Sequence, residues 1–100
     1  MNAVFRALAD PTRREILALL RKAPRTAGDL ADRFPQSRST LSGHFNVLKA
    51  ANLVTAERQG QTIVYHLNLS VFEEATAAVL AVFGVGRERV SRRRREGASS

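Results

Sequence analysis

Two short runs of helically spaced apolar residues stand a few residues apart, with a proline between them. Ala27, Leu30 and Ala31 make the first, and Leu41, Phe45 and Leu48 the second. Phe34-Pro35-Gln36 breaks the helical pattern, and Ser37 is a good N-cap for the second helix. When that helix packs through Leu41, Phe45 and Leu48, it leaves Arg38, Ser39, Ser42, Gly43 and Asn46 outside. These are mostly short or hydrogen-bonding residues, where a solvent-facing helix usually carries longer charged ones. Such a face suits a groove, and the pair has the layout of a helix-turn-helix whose second helix reads DNA.

The flanking segments complete a small domain. Asn2 to Leu8 reads as a short helix with Val4, Phe5 and Leu8 on one side. Asp10 then caps a second helix, about Pro11 to Lys22, with proline at the first position, where its missing N–H costs nothing. That helix turns Ile16, Leu17, Leu19 and Leu20 inward, and Arg21 and Lys22 in its last turn complement the dipole. Thr26, with Asp29 behind it, caps the third helix, and the fourth runs from about Arg38 to Ala50. After Asn52 the period shortens. Residues 53–58 and 62–67 are β-branched or aromatic runs around Gln59-Gly60-Gln61, a hairpin that forms a wing, with Ile63, Tyr65 and Leu67 on one face. Ser70 and Glu73 form a capping box that opens a last helix. There Val71, Phe72, Ala75, Ala78, Val79, Val82 and Phe83 make an apolar stripe, which Ala77, Leu80 and Ala81 widen beyond one side. A helix apolar on more than one side needs more than one cover, and in a chain this small a second copy is the natural one. The expected fold is mainly α: four helices, a two-stranded wing and a fifth helix, dimeric through the first and last helices.

Bulk properties bound the function. The 100 residues are 44% hydrophobic, enough for one domain of modest stability. The chain has no cysteine and two histidines, His44 and His66, so thiolate metal sites and disulfides are excluded and no metal or cofactor is expected. No run approaches the roughly 20 apolar residues of a membrane span, so a soluble, cytoplasmic protein without membrane insertion is expected. The net charge of +7 points to a polyanion, yet it is unevenly placed. Residues 1–86 hold ten Lys/Arg against seven Asp/Glu, whereas residues 87–100 hold six Arg against two Glu. The expected organisation is therefore a DNA-binding and dimerisation domain over 1–86 and a flexible Arg-rich tail over 87–100, read either as a solubilising end or as a non-specific DNA arm.

The stretch Phe5 to Leu20 with its Asp10-Pro-Thr-Arg-Arg14, Thr26 to Ala31, Ser37 to Leu48, Leu53-Val54, Arg58 to Gln61 and Tyr65 together resemble the ArsR-type winged-helix repressors, and within them the SdpR-like autorepressors. The resemblance covers about residues 2–83. It implies a homodimer with the first and last helices at its interface, the fourth helix in the major groove and the wing near the adjacent backbone or minor groove. Autoregulation is implied by the resemblance alone. Metal-sensing members usually carry a cysteine pair on the third helix, or Asp, His and Glu ligands on the last. Here the third helix is Ala27-Gly-Asp-Leu-Ala-Asp-Arg33 and the last has no histidine, so metal sensing is not carried over. The position after Ser42, often His or Arg in the family, is Gly43.

The candidate DNA contacts are Ser37, Arg38, Ser39, Thr40, Ser42, Gly43, His44 and Asn46 on the fourth helix, with Arg58, Gln59 and Gln61 on the wing. The candidate dimer contacts are Val4, Phe5, Leu8, Phe72, Ala75, Val79, Val82 and Phe83. Arg38 suits a guanine edge or a phosphate. The wing tip is polar by default, and Asp10 to Arg14 has the chemistry of a helix start, with Arg13 or Arg14 as an alternative phosphate partner. Glu73 and Glu74 sit at a helix start with no nucleophile or cleft signal nearby, so no enzyme is expected. The expected partners are double-stranded DNA and a second copy. A rival reading makes the last helix a docking surface for a protein partner, and the sequence names no effector.

Overall fold

The computed structural model describes residues 2–84; the expected tail, residues 87–100, lies outside the described residues. Among the described residues five helices and three strands run in the order α1 (Asn2–Leu8), α2 (Pro11–Lys22), β1 (Arg25–Thr26), α3 (Ala27–Arg33), α4 (Arg38–Ala50), β2 (Val54–Gln59), β3 (Thr62–Leu67) and α5 (Leu69–Phe83). The caps read from the sequence form as expected in three places. The Asp10 carboxylate accepts from the Thr12 and Arg13 N–H groups at 2.8 and 3.2 Å, Thr26 Oγ1 from Asp29 N at 3.0 Å, and Ser37 Oγ from Thr40 N at 3.2 Å. Each satisfies backbone donors that the first helical turn leaves without partners.

Ala7, Ile16, Leu17, Leu20, Leu30, Leu41, Phe45, Leu48 and Ala75 meet in one core, so all five helices contribute to it. Leu19, expected inside, is only half-buried. The α3–α4 turn is sealed by Phe34, buried beside Pro35, and Gln36 Nε2 donates to Thr12 Oγ1 at 2.9 Å, tying the turn to α2. At its other end α4 stops in a Schellman motif. Asn52 takes φ +60, its N–H reaches Lys49 O at 2.9 Å, and Leu53 N–H reaches Leu48 O at 3.1 Å. This reversal drops Leu53, fully buried, into the core and starts the wing directly from the end of α4.

The wing pairs β2 with β3 antiparallel from Val54↔Leu67 to Gln59↔Thr62, leaving Gly60 and Gln61 as a two-residue turn. Gly60 has φ +64 and Gln61 does not lie at positive φ, the pattern of a type II′ turn. The sheet gains a strand the sequence did not announce. Arg25 and Thr26 pair with Tyr65 and Val64, so the order is β1-β3-β2. Two residues that follow a proline, the second of them itself a helix cap, carry no periodicity to read. At the base of the wing Tyr65 stacks on Phe45, ring centroids 4.4 Å apart, and burial pushes its phenol above the usual range. Ile63, although on the Tyr65 face, is 38% exposed because the hairpin runs off the core toward its tip.

One cap differs from expectation. The N-cap of α5 is Asn68, not Ser70, so the helix begins at Leu69, two residues earlier than expected; the Asn68 Oδ1 accepts from Val71 N at 3.5 Å and from Ser70 Oγ at 3.2 Å. Asn68 and Ser70 are both good caps, and the helix takes the earlier one, so Glu73 falls beyond reach of a capping box. Gly84, at φ +74, ends α5.

Candidate nucleic-acid interface

The packing of α4 sorts its side chains as the spacing requires. Leu41, Phe45 and Leu48 are buried, while Arg38, Ser39, Thr40, Ser42, Gly43 and Asn46 are exposed. At the N-terminal end Ser37 Oγ is a hub, donating to Thr40 Oγ1 at 2.9 Å and lying 3.1 Å from Ser39 Oγ. Ser37 and Thr40 therefore spend hydrogen bonds on each other, whereas Arg38, Ser42 and Asn46 make no side-chain bond among the described residues. A Cβ on Gly43 would meet nothing within 4 Å, so the fold itself has no need of a glycine there.

His44 departs from the rest of the set. It is half-buried, and its Nδ1 lies 3.1 Å from Arg13 Nη1. The same guanidinium donates from Nε to Ala7 O at 2.9 Å and from Nη2 to Arg6 O at 2.8 Å, while Arg14 Nη1 donates to Leu8 O at 2.8 Å. These carbonyls belong to the last turn of α1, which has no intrahelical donors for them and carries the negative end of the dipole. The Asp10 to Arg14 stretch thus starts α2 and caps α1 together. Desolvation of Asp10, the largest single effect, opposes ionisation, but the backbone donors of Arg13 and then Thr12, together with the nearby Arg13 guanidinium, outweigh it and hold the carboxyl below its ordinary value. The sequence reading of Asp10 to Arg14 as a helix start missed this second task, because the partners lie six residues back and 31 ahead.

On the wing, Arg58, Gln59 and Gln61 are exposed, and Arg58 Nε donates to Gly60 O at 3.2 Å, folding the guanidinium over the turn. Lower on the hairpin His66 Nε2 and Glu57 Oε2 stand 3.1 Å apart in an exposed pair. Since β2 leaves the Schellman turn of α4 without a linker, the wing tip and the exposed face of α4 are carried by one continuous element.

The residues expected at a dimer interface divide into three groups. Val82 and Phe83 are 72% and 73% exposed and Phe5 40%; Val4, Leu8, Phe72 and Val79 are half-buried; Ala75, at 1%, is already packed inside a single chain and offers no surface. Leu69 and Leu80, at 53% and 42%, extend the exposed apolar area of α5. Beside it, α1, α2 and α5 enclose an open groove of about 620 Å³ lined by Leu8, Leu17, Ala18 and Phe72 with Arg14 and Arg21. No described helix is long and apolar enough to cross a membrane.

Known proteins share this arrangement. A helix-turn-helix domain family matches residues 8–57. The transcriptional repressor SdpR of Bacillus subtilis is 47% identical over 75 residues, which cover 75% of this chain and 83% of SdpR. The crystal structure of an ArsR family transcriptional regulator superposes with a TM-score of 0.74 at 31% identity, over 87% of this chain and 89% of the other. A homodimeric winged helix-turn-helix DNA-binding domain from Mycobacterium bovis superposes with a TM-score of 0.69 at 27% identity, over 81% and 76% of the two chains. With the capped helix pair, the wing and the polar face of α4 in the same order, the chain belongs to the ArsR family of DNA-binding winged helix-turn-helix transcriptional repressors.

Proposed function

We propose that the chain represses transcription in the cytoplasm as a homodimer, laying α4 of each copy in the major groove of a pseudo-palindromic operator. The observation that carries the reading is the face of α4. Its apolar side is sealed into the core, and its other side offers Arg38, Ser39, Ser42, Gly43 and Asn46 to whatever comes. Ser39, Ser42 and Asn46 supply short hydrogen-bonding groups, Gly43 allows close approach, and Arg38 supplies the charge; Ser37, Thr40 and His44 order the helix that presents them. Arg58, Gln59 and Gln61 meet the flanking backbone or minor groove.

The second copy covers the exposed apolar residues of α5 and α1: Val82, Phe83, Phe5 and, at the edges, Val4, Leu8, Phe72 and Val79. Two-fold symmetry then fixes the half-sites about one helical turn, roughly 34–36 Å, or a multiple apart. Induction does not run through thiolate-bound metal, since the chain has no cysteine. Residues 87–100, six Arg against two Glu, add non-specific phosphate contacts, so their removal flattens the salt dependence and leaves sequence preference alone.

Selection from random duplexes, with light scattering on the purified chain, tests the proposal. An enriched inverted repeat and a dimer mass are expected, with Val82→Asp shifting the mass to a monomer. A chain that enriches no sequence and leaves α5 uncovered would favour a protein-docking role for that helix.

A further inference from the structure

We infer that Arg13 is a positioning residue for DNA recognition: through His44 it ties the reading helix α4 to the C-terminal end of α1. The inference rests on the proposed repressor function and assigns Arg13 a role other than the phosphate contact its charge suggests. Guanidinium has donors and no acceptor, so at 3.1 Å from Arg13 Nη1 the Nδ1 of His44 must accept. The imidazole is then neutral, with its proton on Nε2.

The tie is rigid at both ends. Nε and Nη2 of Arg13 are held by Ala7 O at 2.9 Å and Arg6 O at 2.8 Å, and Ala7 beneath them is fully buried. A planar fork with all three nitrogens engaged has little freedom left. His44 lies mid-way along α4, flanked in the helix by the buried Leu41 and Leu48 one turn away on either side. The restraint therefore acts on the body of the helix and fixes its orientation, where a bond at a fraying end would not. Arg14 caps the same end of α1 through Leu8 O but has no bond to α4, so it serves as the internal comparison. Since α1 belongs to the proposed dimer contact, the angle at which each copy presents α4 is set from the dimer side by one residue of α2.

The test uses the full chain and the operator duplex selected by it, with binding measured across a salt series, and ¹⁵N imidazole shifts of the free protein. His44 is expected as the Nε2–H tautomer. His44→Leu leaves the α1 carbonyl contacts of Arg13 in place, so it and Arg13→Gln should each lower operator affinity roughly tenfold, the scale of one bond to a charged group. Non-specific affinity and the salt slope should not move. His44→Asn, whose Oδ1 stands near the place of Nδ1, should bind within about threefold of the parent. A slope reduced by about 0.9 in Arg13→Gln would reveal a phosphate contact and overturn the inference. So would an Nδ1–H tautomer, unchanged affinity in His44→Leu, or a loss in His44→Asn as large as in His44→Leu. A parent chain without sequence preference would sink the repressor reading instead, and the imidazole spectrum would still decide whether the tie exists.

Discussion

Replacing Gly43 by alanine separates what the fold needs from what the partner needs. Gly43 sits mid-way along α4, has no positive φ, and a Cβ there meets nothing within 4 Å. With neither strain nor clash to offset it, the intrinsic helix preference for alanine should appear nearly in full, about 0.8–1 kcal/mol. For a domain of this size 1 kcal/mol corresponds to a Tm shift of about 4–8 °C. Calorimetric melts of the two chains should therefore differ by about 4 °C or more in favour of the alanine form. Both must be run at one protein concentration, because association makes Tm concentration-dependent. Operator affinity should move the other way, because the added methyl stands on the exposed face of α4 that the proposed function turns toward the groove. A Tm that stays put or falls would refute the helix reasoning, and a variant that gains both stability and affinity would take Gly43 off the contact surface.

Ser37→Ala removes the acceptor that holds Thr40 N at 3.2 Å; urea unfolding should show a loss of about 1 kcal/mol, and an unchanged midpoint would show that the cap is idle. Leu48→Ala empties a fully buried position and should cost about 2–5 kcal/mol, a large part of the roughly 5–15 kcal/mol available to a domain. Asp10 has a folded pKa below its ordinary 3.8, so its ionised form adds stability that is complete above that value and lost as pH falls through the lower folded one. The stability gap between the parent and Asp10→Asn should accordingly be constant near neutrality and close in acid, and a gap independent of pH would contradict the assignment.

The helices and the wing were legible because each rests on local chemistry. Asp10, Thr26 and Ser37 cap helices within three residues of themselves, and the apolar spacing of α4 states its buried side without reference to the rest of the chain. What escaped was set by competition or by distance. Asn68 and Ser70 are equivalent caps on paper, and the choice between them depends on where β3 ends. β1 exists because Tyr65 and Val64 pass beside Arg25 and Thr26, a pairing across about 40 residues with no local pattern. Ala75 lies on the apolar stripe of α5 with Val79 and Val82, yet it packs within one chain while they do not, since α5 faces the core at one end and leaves it toward the other.

The fate of the cations shows the same limit and bears on how DNA is held. Counted along the sequence, Arg13, Arg14, Arg25 and Arg33 are four charges for phosphate. Folded, Arg13 and Arg14 are committed to the carbonyls of α1, and Arg25 and Arg33 share the Asp29 carboxylate at 3.5 and 3.2 Å. The Arg33 pair is exposed, and pairs of that kind are weak and open readily, but the Arg13 fork is part-buried with three nitrogens engaged, so moving it to a phosphate would uncap α1 and release His44. The cations on α4 and the wing itself are Arg38, Lys49 and Arg58. A body with so few charges at its reading face gains little from counterion release. On the proposed reading, its discrimination between sequences then comes from the fit of Ser39, Ser42, Gly43 and Asn46 into the groove, which depends on α4 being held at one angle. For such a protein an arginine spent on orienting the reading helix contributes more to specificity than the same arginine on the DNA backbone, where it would strengthen right and wrong sites alike.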